Sequence, residues 1–203
     1  MLFRSDNQRA IKELRNQLAA CAAQLSFQYI RHDPQRISRL ADSNGHSPSL
    51  LEKTRALQIQ FSRLEFDSEW TLDQEIALLQ QYIAIETQYG IPTPDFELDL
   101  SEHEQLRIKA LSLFPLVQNA LHYGYVSPKA SPMKIRLVAR PTLLRMEVSH
   151  QANPYLLSQT GTPIFKAFLG ALDWLYPERA ELLYNSNSNR FKATLSLQAT
   201  TKK

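Results

Sequence analysis

The 203-residue chain predicts an α+β fold, an N-terminal helical hairpin followed by an α/β sandwich built on a mixed sheet. Three observations lead there. Apolar residues recur at alternating steps of three and four through two N-terminal stretches. A capping box opens a third helix with a wide apolar face. Beyond Phe96, short alternating segments are interleaved with two amphipathic stretches of helical period. Composition bounds the class: 43% hydrophobic and 21% charged residues suit a soluble globular chain rather than a disordered one. The net charge of +3, with no basic run longer than the terminal Thr-Lys-Lys, argues against a nucleic-acid partner. A single cysteine, Cys21, excludes an internal disulfide or a multi-cysteine metal site, and a cytoplasmic location is expected. Neither a signal peptide nor a membrane span is expected, since no apolar run is long enough.

From Asp6 to about Ile30, Ile11, Leu14, Leu18, Cys21 and Leu25 form a narrow seam that suits a helix packing lengthwise on another. Asp33-Pro34 should stop this helix, and Ala41 to Pro48 reads as a turn-rich connector. A second helix, from about Pro48 to Leu64, carries Leu50, Thr54, Leu57, Phe61 and Leu64 at the same spacing. Two such helices make a hairpin that buries little alone. Pairing with a second copy as a four-helix bundle would cover both seams, and docking on the chain's own α/β unit is the alternative. The expected domains are 1–66, helical and dimerising, and 67–203, the α/β unit.

Thr71-Leu-Asp-Gln74 starts the third helix, which ends by Gly90, with Leu72, Ile76, Leu79 and Ile83 beside Leu78, Tyr82, Ile85 and Tyr89. Phe96, Leu98 and Leu100 alternate as a strand does. Pro115 to Tyr123 is a proline-started helix, with Gly124 expected in the left-handed conformation at its end. Leu116, Val117, Ala120 and Leu121 face inward, and Gln118, Asn119 and His122 form a polar stripe expected to meet water or a ligand. Lys134–Arg140 and Leu143–Ser149 are strands, 156–162 is loop, and Ile164–Tyr176 is helical. Glu181–Tyr184 and Phe191–Leu197 close a hairpin around Asn185–Asn189.

Several of these stretches share a pattern. "FPLVQNALHYG" resembles the "QPLVENAIKHG" stretch of LytS/YehU-type sensor histidine kinases, where the helix carries the N box of a GHKL ATP-binding domain. "TLDQEIALLQQYIAIETQYG" is similar to the family's "tLeeELelvenYLeIqklRFg", and "LGALDWLYPERAELL" to "VRERLKLLYGDRAEL". The resemblance implies a GHKL-type sandwich, a two-component signalling role, a homodimer or a heterodimer with a cognate histidine kinase, and a response regulator as partner.

It also implies where the chemistry should lie. Gln28 occupies the phosphoacceptor position of "QINPHFLFN", and its amide nitrogen is no nucleophile toward a γ-phosphoryl group. His32, one turn on and followed by Asp33, is a substitute acceptor; its plain alternative is an exposed histidine at a helix end. Asn119 matches the Mg²⁺-ligating asparagine, whereas the family's glutamate is Gln118, and His122 and Tyr123 follow. The adenine-reading Asp-x-Gly box is replaced by Ser149-His-Gln-Ala-Asn153, which leaves His150 and Asn153 without a carboxylate beside them. The lid keeps Gly161 and Thr162, but "GTGIGLkN" reads "GTPIFKAF", so Pro163 removes an N–H and Phe165-Lys166 replace small residues. The expectation is a degenerate histidine kinase with no cofactor, or ATP with Mg²⁺ where nucleotide binding is kept. Two alternatives stay open: an autokinase using His32, and a binder of another small ligand lined by His150, Gln151, Asn153 and Tyr155.

Overall fold

The computed structural model describes residues 2–32, 38, 47–124, 132–198 and 200–201. The stop at Asp33-Pro34 and most of the connector at 41–48 lie outside the described residues. Among the described residues, helix α1 spans Leu2–Arg31, α2 Pro48–Ser62, α3 Leu72–Gln88, α4 Phe114–Tyr123 and α5 Pro163–Leu175. Strands β2 (Asp95–Leu100), β4 (Lys134–Arg140), β5 (Leu143–Gln151), β7 (Arg190–Gln198) and β6 (Ala180–Ser186) form one sheet in that order. β2 pairs β4 in parallel and the other neighbours are antiparallel, so the sheet is mixed as expected. A smaller antiparallel sheet joins β1 (Glu69–Thr71), β3 (Leu106–Lys109) and β8 (Thr200–Thr201). These strands are only two to four residues long and escape a period-two reading.

Local chemistry starts most helices. Ser47 accepts the Leu50 N–H ahead of Pro48, Thr162 accepts the Phe165 N–H ahead of Pro163, and Thr71 with Gln74 completes the capping box reciprocally. In the sheet, inward residues such as Ile135, Leu137, Leu144, Met146, Val148, Phe191 and Leu195 are buried, while charged residues alternate on the outer face. Phe165 of α5 meets Tyr184 at 5.4 Å and Phe191 at 6.0 Å, which ties that helix to β6 and β7.

The expected hairpin is not what α1 and α2 form. The ends that meet are both C-terminal: the Arg31 guanidinium donates to the carbonyls of Ser62 (3.3 Å) and Leu64 (2.6 Å). A hairpin would bring the end of one helix to the start of the next. The α2 seam is buried instead on the chain's own α/β unit, with Phe61 edge-on to Phe114 at 4.8 Å and Thr54 Oγ1 at 3.1 Å from the Tyr89 hydroxyl. α1 lies on α5 through Ala23, Phe27 and Ile30, a stripe on the far side of the helix from its predicted seam. The seam residues Ile11, Leu14, Leu18 and Leu25 stay exposed. One hydrophobic core therefore runs from Phe27 and Ile30 through Leu57 and Phe61 to the sheet. The apolar surface nearest in space was in the same chain, so α2 needs no second copy to cover it.

Candidate functional site

α4 is the element on which the site is built. It has no cap of its own: Leu113 stands at its N-terminus with no side-chain hydrogen bond. Glu75 of α3 supplies one across the interface, its Oε1 accepting from Leu113 (2.9 Å) and Phe114 (3.2 Å) and its Oε2 from Leu111 (3.0 Å). Glu75 is fully buried. Burial pushes its carboxyl up to about 7, against the pull of the three N–H donors. Beside it, Ser112 Oγ lies 2.6 Å from the Tyr176 hydroxyl, which also accepts the Lys109 N–H. Burial pushes that phenol up to about 12. Sequence reading missed Glu75, because nothing in a helical stripe marks one carboxylate as facing inward.

The two amides of the α4 polar stripe do not meet water, while His122 is partly buried. Gln118 is 0% and Asn119 2% exposed. Asn119 Oδ1 accepts a short hydrogen bond from Thr162 Oγ1, the same hydroxyl that caps α5. Among the described residues neither amide atom of Gln118 has a hydrogen-bond partner. His122 Nε2 lies 2.9 Å from the Tyr82 hydroxyl of α3. Gly124 is extended rather than left-handed, with φ −63° and ψ 144°; the helix closes by donating the Gly124 N–H to the Ala120 carbonyl. Its glycine answers to space. A Cβ there would stand 2.5 Å from the Ala120 oxygen and 3.2 Å from His150 Nδ1.

At the end of β5, His150 is turned inward, with its ring 5.1 Å from that of Phe191. Its Nδ1 lies 2.9 Å from the Gln151 carbonyl, an acceptor only, so Nδ1 carries the proton. Burial holds its pKa below the usual imidazole value, and Nε2 has no partner among the described residues. Asn153 donates through Nδ2 to the Tyr123 carbonyl (3.2 Å), and its backbone is clamped by the Gln159 amide. Tyr155 points outward, 83% exposed, and so does not join His150 and Asn153 as a lining residue. Gly161 precedes the Thr162 cap, and Pro163 occupies the first position of α5. Phe165 is packed inside against the sheet rather than standing in the lid.

The fold thus brings Asn119 to Thr162, Tyr123 to Asn153 and His150 to Gly124, while His122 turns to Tyr82 of α3 and Gln118 is buried without joining them. Among the described residues no group of three or more His, Cys, Asp or Glu could hold a metal ion. His32 and Gln28 are at the far end of α1, where Arg31 donates to Gln28 Oε1 at 2.6 Å and lies 3.1 Å from His32 Nε2, with Gln58 of α2 near Nδ1. Asp33, the expected orienting partner, lies outside the described residues.

Solved structures similar to this backbone are histidine kinases and their catalytic domains. The Acinetobacter baumannii histidine kinase AdeS is 12% identical, with 81% of this chain and 91% of that one covered at a TM-score of 0.47. The histidine kinase domain of the Erythrobacter litoralis EL346 blue-light activated kinase is 12% identical over 90% of this chain and 94% of that one, at 0.45. Histidine kinase ThkA, solved in complex with the response regulator TrrA, is 17% identical over 97% of this chain and 64% of that one, also at 0.45. No protein-family profile matches the chain, and no curated sequence does. No helix among the described residues is long and apolar enough to cross a membrane.

Proposed function

We infer that this chain is a degenerate histidine kinase module of two-component signalling, which acts through protein contacts with little or no ATP-dependent autophosphorylation. One observation carries the reading: the asparagine that would ligate Mg²⁺ is buried and already accepts the Thr162 hydroxyl, which lashes the start of α5 onto α4. Its neighbours support it. Gln118 offers a neutral amide where a carboxylate would bind the metal, and His150 in the adenine-reading place is neutral and turned into the core. The residues present do not suit a magnesium nucleotide. A cognate histidine kinase or a response regulator is the partner this reading implies, a consequence of the motif resemblance.

The test is transfer of ³²P from labelled ATP, alongside melting with and without millimolar ATP and Mg²⁺. The expected outcome is no labelled protein and an unmoved melting temperature. Label that disappears in His32→Ala would replace this reading with an autokinase. A melt raised by nucleotide without any label would make ATP a structural ligand of the site.

A further inference from the structure

The larger sheet ends in two edges of opposite character. At one, β2 follows Pro94 directly and carries exposed Asp95, Glu97 and Asp99, which reach Lys134, Arg136 and Arg140 of β4 at 3.7, 3.9 and 2.9 Å. A proline and a row of charges close an edge to further strands. At the other, β6 pairs with β7 from Ala180 to Ser186 without a bulge, and that segment holds no proline, lysine or arginine and one acid, Glu181. Little there turns another strand away.

The register fixes which groups that edge offers. The Gln198 N–H donates to the Arg179 carbonyl and the Asn187 N–H to the Arg190 carbonyl, so Glu181, Leu183 and Asn185 spend their backbone groups on β7. The N–H and C=O groups of Ala180, Leu182, Tyr184 and Ser186 alternate with them and point away from the sheet. Their side chains share the helix-covered face, where Tyr184 meets Phe165 of α5, and Leu183 lies between Glu181 and Asn185 on the opposite face. Leu183 is 59% exposed and Tyr184 50%.

We propose that an extended apolar segment of a partner protein adds to β6 as a further antiparallel strand of the sheet. Each outward residue of β6 presents its donor and its acceptor side by side, which an antiparallel strand meets with one residue of its own. Backbone bonds supply the affinity and alternate side chains the choice of sequence. The partner residues opposite Leu182, Leu183 and Tyr184 are apolar, and the one opposite Glu181 is lysine or arginine, by charge complementarity. This edge stands independently of the signalling reading above, since nothing in it depends on nucleotide.

The probe is a fluorescein-labelled peptide, Thr-Thr-Ile-Val-Ile-Lys-Thr, which in antiparallel register sets its isoleucines opposite Tyr184 and Leu182, its valine opposite Leu183 and its lysine opposite Glu181. Titration with the full chain should raise its anisotropy to saturation. N-methylation of both isoleucines, whose N–H groups face β6, should weaken binding by about tenfold or more, whereas N-methylation of the valine and lysine, whose N–H groups face away, should leave it within about twofold. Leu183→Lys should abolish binding with an unmoved melting temperature, since that side chain is exposed. No saturable binding, or equal loss from the two methylated peptides, overturns the proposal, and so does a Leu183→Lys variant that binds as the wild type does. Light scattering on the chain alone reports the other occupant: a mass of twice 23.3 kDa that Leu183→Lys returns to one chain gives the edge to a second copy and overturns the proposal too. None of these readouts involves ATP, so this test and the labelling test fail separately.

Discussion

At Gly124 a methyl group would stand 2.5 Å from the Ala120 carbonyl oxygen, a backbone atom that cannot swing aside. Gly124→Ala should therefore cost about 1–3 kcal/mol, read as a lower urea midpoint, because α4 and the His150 ring must both shift. Glu75 gives a pH dependence of definite sign. Its folded pKa is raised to about 7 from 4.5, so the folded protein holds this proton more tightly than the unfolded chain. Its stabilising contribution is complete below about pH 4.5 and is lost as pH rises through about 7, by roughly 3 kcal/mol across the interval. In Glu75→Gln, urea melts at pH 5 and pH 7.5 should differ less than in the wild type; an unchanged difference would show that the carboxyl is ionised throughout. His150 works in the opposite direction. Held below its usual pKa by burial, it favours the fold at neutral pH and opposes it as acid protonates the ring.

Among the elements, α5 owes its start to Thr162, whose hydroxyl also holds Asn119. Thr162→Val keeps the shape and removes both bonds, for an expected loss of about 1–3 kcal/mol in chemical denaturation. Serine at the same place should restore most of it. The end of α2 depends likewise on Arg31, which reaches across from α1 to the carbonyl of its last residue, Ser62, and to that of Leu64 just beyond. Arg31→Ala should speed amide hydrogen exchange over 59–64 and leave the start of α2, held by Ser47, unchanged. The start of α5 was read one residue late, at Ile164, with Thr162 left in the loop, the strand from Leu143 runs two residues past the expected Ser149, and Asn185 and Ser186 of the expected turn belong to β6. The helix start at Thr71 and the strands from Lys134 and from Leu143 were legible in the sequence, because each signal lies within a few residues of its effect. The cap on α4 was not, because its donors and its carboxylate are 36 to 39 residues apart.

For the molecule as a whole, the core is continuous across the expected boundary at residue 66, with Phe61 and Leu64 in the same cluster as Leu72, Phe114 and Leu195. A fragment of residues 67–203 should expose the faces of α3 and α4 that α2 covers, and should aggregate or lose its cooperative thermal transition; a soluble, sharply melting fragment would show that the helices are an appendage. The candidate site was half legible. Its residue types and its missing carboxylates could be read one by one, whereas the pairing of Asn119 with Thr162 and the inward turn of His150 could not. By itself the chain's order of residues determined the five helices α1 to α5, the strands of the larger, mixed sheet, and the two apolar seams at its start, since periodicity and capping act over a turn or two; the short strands β1, β3 and β8 were not among them. Only the tertiary structure decided that one seam is buried at home and the other left outward. That choice compares surfaces brought together from distant parts of the chain, and the free energy of covering each depends on what lies opposite it.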